Sequence, residues 1–291
     1  MKPPPFSYHA PESIEDTVGL LASLENAKLL AGGQSLMPML NMRYAQPDHL
    51  IDLNRVDGLG FIREEAGGLT IGAMTRQREV EFSPLIDRLC PLLAEALPLI
   101  GHRQTRNRGT VGGSLAHSDG AAEIPTVAAA LDATLTVIGP NGRRDVAYAD
   151  FPAGYLMTAL GWDELLVSIH LPAWGAGHGY AFEEFARRHG DFAIVSAAAL
   201  IEAGADGTIA RAALALGGMG AAPVRARKAE AALTGRPGGA ETIQAAAEHC
   251  LGLEAQDDVH APAAYRRKLA AVLARRALAR AWERACARGG A

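Results

Sequence analysis

The chain has 291 residues, 49% of them hydrophobic, and its 28 Lys and Arg fall short of its 32 Asp and Glu, for a net charge of −4. That length suits two or three compact units with real cores, and without a cationic surplus to neutralise phosphates a nucleic-acid partner is excluded. No run of about 18 apolar residues could span a bilayer, no signal peptide is expected at the N-terminus, and Cys90, Cys250 and Cys286, expected as free buried thiols, fit a reducing cytoplasm and cannot alone hold an iron–sulfur cluster.

Ser13 is placed to cap a helix, with Asp16 in a capping-box-like position ahead of Val18, Leu20, Leu21 and Leu24. Residues 28–30 form a short apolar strand running into Gly32-Gly33, and residues 49–53 a second strand. From Gly58 the texture changes: 69–73 is a strand, 75–81 begins a helical stretch, and 90–100 continues with helical spacing. Residues 121–131 are a helix with Pro125 near its start. Residues 133–138 alternate like a strand, 140–143 read as a turn, and 164–171 form a strand stopped by Pro172.

The stretch 173–179 carries three glycines in seven residues and marks a domain boundary. Beyond it, 182–188, 193–203 and 209–216 are successive strands, and 221–233 and 240–251 are helical. Tyr265, Leu269, Val272, Leu273, Leu278 and Trp282 share one face of a long last helix. Arg266, Arg267, Arg275 and Arg276 lie mostly elsewhere, as solvated surface or a subunit contact.

Two segments carry chemistry. Ala31-Gly-Gly-Gln-Ser-Leu-Met-Pro38 follows a strand directly, and its glycines permit positive φ angles and an anion nest of inward-pointing N–H groups. Arg106-Asn-Arg-Gly-Thr-Val-Gly-Gly-Ser114 again bares the backbone, with Thr110 and Ser114 offering hydroxyls. Two such loops, about 80 residues apart, can clamp a diphosphate from both sides. Each Gly-Gly pair alone also reads as a tight turn, neither loop is a Walker A or G-x-G-x-x-G sequence, and Gly217-Gly-Met-Gly220 reads as a strand-to-helix loop. Ser114, His117, Ser118 and Asp119 stand too close together to converge as a hydrolytic triad, and the histidines show no metal-ligand spacing.

Together with Met42-Arg43, Gln46-Pro47, His49-Leu-Ile-Asp52, Ile71-Gly-Ala, Arg187-Arg-His-Gly-Asp-Phe-Ala193 and Tyr265-Arg-Arg-Lys-Leu-Ala, these segments run in order along nearly the whole chain. In that order they resemble the FAD-binding medium subunit of aerobic carbon monoxide dehydrogenase and xanthine dehydrogenase-type molybdenum hydroxylases. The resemblance implies an α+β fold: a two-part FAD domain of the vanillyl-alcohol-oxidase (PCMH) type at 1–57 and 58–176, then a C-terminal domain at 177–291 with a three-stranded antiparallel sheet and helices. It implies that Ala31, Gly32, Gly33, Gln34, Ser35 and Leu36, with Thr110, Val111, Gly112, Gly113 and Ser114, hold the FAD pyrophosphate and adjoining groups. Asp119 and Glu123 then fall on the sugar and adenine side, Arg187, Asp191 and Phe192 approach the isoalloxazine ring, and Gly101 and Leu160 complete the cofactor contacts.

Four positions depart from the family's habit: Ser114 for Asn, Gly120 for Pro, Glu123 for Asp, and Phe192 for Tyr, which removes a hydroxyl beside the flavin. No catalytic residue and no metal ligand is expected on this chain. By resemblance, electrons pass from a molybdenum–pterin cofactor in a large subunit through two [2Fe–2S] clusters of a small subunit to FAD here, and on to a quinone or NAD. The assembly implied is a dimer of heterotrimers, cytoplasmic or peripheral at the inner membrane. Alternatives are a stand-alone FAD oxidase or dehydrogenase of the same fold, or a flavin-free assembly subunit.

Overall fold

The computed structural model describes residues 1–289. The first unit is built from β1 (Ser7–His9), α1 (Ile14–Ser23), β2 (Ala27–Leu30), α2 (Leu36–Asn41) and β3 (His49–Asp52). Its three strands are parallel in the order β1-β3-β2, with Leu30 beside Asp52 at the end of the ladder. Ser13 Oγ accepts from Asp16 N at 3.0 Å and donates to Asp16 Oδ2 at 2.7 Å, so the expected cap of α1 is present. β2 delivers the chain at its carboxyl end into Gly32 and Gly33, the side of a parallel sheet where ligand crevices form. Strand β1 went unanticipated because Ser7-Tyr-His9 has no apolar alternation to read.

The second unit holds β4 (Ile62–Glu65), β5 (Gly68–Gly72), α3 (Gln77–Glu81), α4 (Pro84–Leu89), α5 (Pro91–Ala96), α6 (Arg103–Arg108), α7 (Val111–His117) and α8 (Glu123–Ala130). It continues with β6 (Thr134–Gly139), β7 (Gly142–Ala147), β8 (Pro152–Gly154), β9 (Met157–Thr158) and β10 (Leu165–Pro172). Five strands make an antiparallel sheet ordered β4-β5-β10-β6-β7, while β8 and β9 form a separate hairpin. The helical stretch after β5 is chopped because Pro84 and Pro91 each start a new helix, where their missing N–H costs nothing. Leu69, Ile71, Leu135 and Ile169 of the sheet are buried with Leu92, Leu93 and Val127 of α5 and α8.

The third unit runs β11 (Gly179–Phe185), β12 (Val195–Ala203), β13 (Ile209–Gly217), β14 (Val224–Arg225), α9 (Arg227–Leu233), α10 (Ala240–Glu248) and α11 (Ala263–Gly289). The three expected antiparallel strands are extended by the two-residue β14, giving a four-stranded sheet. Both faces are covered. Ala198, Leu200, Ala213 and Ala215 join the core of the second unit, whereas Ala197, Ala199, Ile201, Leu214 and Leu216 pack with Leu273, Ala277, Leu278 and Ala281 of α11. A doubly buried sheet needs apolar residues in continuous runs, which is how β12 and β13 read in sequence.

Two expectations about the last unit are corrected. Arg266 is 2% exposed, not on the solvated face, because a gap lined by the carbonyls of Ile194 (2.5 Å) and Gly218 (2.7 Å), together with Asp258, takes its guanidinium. Of the cysteines, Cys90 and Cys250 are buried as expected, with thiols pushed up to about 12 by burial, but Cys286 is exposed on α11.

Candidate functional site

The two glycine segments meet. A Cβ at Gly32 would lie 2.3 Å from Arg108 O and 2.8 Å from Gly109 Cα, and one at Gly113 would lie 3.5 Å from Ala31 Cβ. Only a residue without a side chain allows backbones this close at position 32, so Gly32 is a requirement of the junction itself, whereas a Cβ at Gly113 would make ordinary contact with Ala31 and press instead on the Thr110 hydroxyl at 2.7 Å. Gly33 turns the chain with φ +72° before α2 begins, the one positive φ among the four paired glycines. Among the described residues, none accepts a hydrogen bond from the amides of Gly33, Gln34 or Ser35, and the Ser35 hydroxyl makes no capping bond to α2. Leu36 opens α2 and is half-buried, while the Gln34 side chain folds back to Gly32 O at 3.2 Å. This segment is therefore a ready anion nest.

The second segment differs from its expected form. It is the first turn of a helix, not a loop: Thr110 caps α7, and its Oγ1 accepts from Gly113 N at 3.0 Å. Val111 N donates to Thr75 O (3.1 Å), Gly112 N to Ala73 O (2.8 Å) and Ser114 N to Thr110 O (3.2 Å). The amides of residues 111–114 are thus committed to protein acceptors, whereas among the described residues those of Gly33, Gln34 and Ser35 are not. Gly112 is dictated by packing, since a Cβ there would stand 2.4 Å from Ala73 Cβ. What α7 offers is a bare, close surface and the half-buried Ser114.

Further along, Asp119 Oδ1 accepts from Ala121 N at 2.9 Å and turns the chain into α8. Glu123, the first residue of α8, is 4% exposed, and burial pushes its carboxyl up to about 7, with the Asp119 charge adding and Arg106 opposing. Glu184 on β11 was not anticipated. Burial, reinforced by Glu123, raises it to about 8, and its Oε2 is buried without a hydrogen-bond partner. Sequence offers no sign of this, since Glu183-Glu184 reads as ordinary strand polarity and only the fold turns Glu184 toward α8.

Gly101, with φ +47°, lies against the 187–192 segment: a Cβ at Gly190 would be 3.0 Å from Gly101 O, and the His102 and His189 rings stack at 6.1 Å. Arg187 donates to His260 O at 3.2 Å, Asp191 is exposed, and Phe192 is 63% exposed. Leu160 follows β9, whose hairpin packs against α7, and is half-buried on the large core. The structure thus brings 31–36 together with 110–114, and Gly101 together with 187–192. No hydrogen bond among the described residues links those two groups.

Comparison with known proteins gives two family matches: the FAD binding domain in molybdopterin dehydrogenase over residues 4–174, and the CO dehydrogenase flavoprotein C-terminal domain over residues 180–281. The chain is 40% identical over 286 residues to the carbon monoxide dehydrogenase medium chain of Hydrogenophaga pseudoflava, covering 98% of this chain and 99% of that one. It is equally 40% identical over 287 residues to the 6-hydroxypseudooxynicotine dehydrogenase complex subunit alpha of Paenarthrobacter nicotinovorans, covering 98% and 97%. Among solved structures it superimposes on the carbon monoxide dehydrogenase of Hydrogenophaga pseudoflava lacking the Mo-pyranopterin moiety, with a TM-score of 0.95, 43% identity, and 98% and 99% coverage.

Proposed function

We propose, since the chain belongs to the FAD-binding flavoprotein family of molybdopterin dehydrogenases, that residues 31–36 and 110–114 hold the FAD diphosphate and that the protein relays electrons inside a molybdenum hydroxylase. The family makes it an oxidoreductase subunit. The proposed partners are a small subunit with two [2Fe–2S] clusters and a large subunit with molybdenum–pterin, in a dimer of heterotrimers, with a quinone or NAD as final acceptor.

FAD, when bound, takes up electrons on one side and releases them on the other. The chain's own residues have a narrower task. The amides of Gly33, Gln34 and Ser35 donate to an anion, and Gly32 lets two backbones close beside it. Glu123 and Asp119 offer acceptors for sugar hydroxyls. Arg187, Asp191 and Phe192, near Gly101, border the isoalloxazine. A relay needs no substrate-activating acid or nucleophile from this chain, and among the described residues no cluster of metal-ligating side chains occurs.

The observation that carries this reading is the contact of the two segments across Gly32, beside three amides with no internal acceptor. Purification from the native host, followed by assay for flavin, molybdenum and iron, should recover all three with two further polypeptides. A lone chain holding flavin and neither metal would sink the subunit role. In the same preparation Gly33→Val, which puts a branched residue at φ +72°, should leave the chain flavin-free.

A further inference from the structure

Beside the nest lies a polar tie that joins its two halves. Arg76, the residue preceding α3, sends one guanidinium nitrogen to the carbonyl of Arg108 and another to Asn54 Oδ1. Asn54 Nδ2 in turn donates to Ala31 O at 3.2 Å. The Arg108 carbonyl is the same group that sits beneath Gly32, and the backbone of Arg76 pairs with Thr110 in an isolated antiparallel bridge. One side chain therefore grips the second segment directly and the first through Asn54.

The charge balance points the same way. Neither Arg76 nor Arg108 forms an ion pair among the described residues. The nearby Asp52 carboxylate is engaged by Tyr8 Oη at 2.6 Å and by Asn54 N at 2.9 Å. Arg76 is half-buried, and its pKa is lowered first by that burial and then by the Arg108 charge, with the Asp52 charge opposing. Two like charges and three unengaged amides, set against the single Asp52 carboxylate, leave net positive potential that an anion would compensate.

We infer that Arg76, acting through Asn54, is a positioning residue: it sets the spacing of the two glycine segments for a diphosphate and, with Arg108, supplies the positive potential there. This rests on the FAD reading of the site. A guanidinium can serve two acceptors in one plane, which an ammonium cannot, so Lys keeps the charge but loses the tie.

The test uses the full-length chain, stripped of flavin, titrated with FAD by fluorescence quenching and with ADP as competitor. Arg76→Met should weaken FAD about 100-fold, and Arg76→Lys and Asn54→Ala about tenfold each, with the Met/Ala double variant no worse than Arg76→Met because both act in one network. ADP should lose the same factor as FAD, and the flavin-free variants should unfold at the parent's temperature. A parent that binds FAD alongside an Arg76→Met variant that binds equally overturns the inference alone. So does a loss of affinity that tracks a falling unfolding temperature. A parent that takes up neither FAD nor ADP overturns the site reading and the inference together.

Discussion

Glu123 on α8 and Glu184 on β11 are both raised first by burial, and the Glu123 charge makes that of Glu184 harder still to form. Their carboxyls sit at about 7 and about 8, against 4.5 when unfolded. Between pH 4.5 and about 7 the unfolded chain has released both protons while the folded chain retains them, and Glu184 keeps its own to about 8, so stability from this pair is complete below 4.5, declines as pH rises, and is gone above about 8. Glu184→Gln, neutral at every pH, should raise the stability of the flavin-free chain at pH 8.5 by about 1–3 kcal/mol. It should also flatten the decline. Thermal unfolding across pH 5–9 reads both, and an unchanged slope would mean that the pair is hydrated. Residues of this kind are the least legible in sequence. The Arg76–Asn54–Ala31 tie joins positions 22 and 23 residues apart, and only the folded chain shows that they share one network.

Among the elements, β12 and β13 could be read almost to their ends, because burial on both faces leaves an unbroken apolar signature. α7 could not. Two glycines are poor helix formers, and the turn forms only because Thr110 caps it while Ala73 and Thr75 accept its first amides. The two glycine segments do meet, but which of their amides stay unbonded was hidden in the fold. α11 depends on a different glycine. A Cβ at Gly179 would lie 1.7 Å from Ala281 O and 2.6 Å from Ala285 N, backbone atoms that cannot swing aside. Gly179→Ala should therefore cost about 1–3 kcal/mol, seen as a lower urea midpoint with α11 displaced from β11. An unaltered midpoint would show that the helix can ride outward freely.

At the scale of the whole molecule, one carboxylate gathers elements from the second and third units. Glu95 on α5 accepts from Phe182 N at 3.0 Å, Arg280 at 3.0 Å and Arg284 at 2.6 Å. Glu95→Ala leaves a strand amide and two arginines of α11 without that acceptor. The expected loss is about 1–3 kcal/mol, with earlier tryptic release of the C-terminal segment. Unchanged protease resistance would place the bond between units in the apolar contacts alone. Those contacts are extensive, because Ala198, Leu200, Ala213 and Ala215 finish a core begun by the N-terminal half. That sharing limits modularity. A chimera that exchanges relatives at residues 173–179 must reproduce the inner face of a sheet, not merely rejoin a glycine-rich strand of chain. Exchanging halves between relatives is accordingly penalised inside the chain by the loss of that shared core.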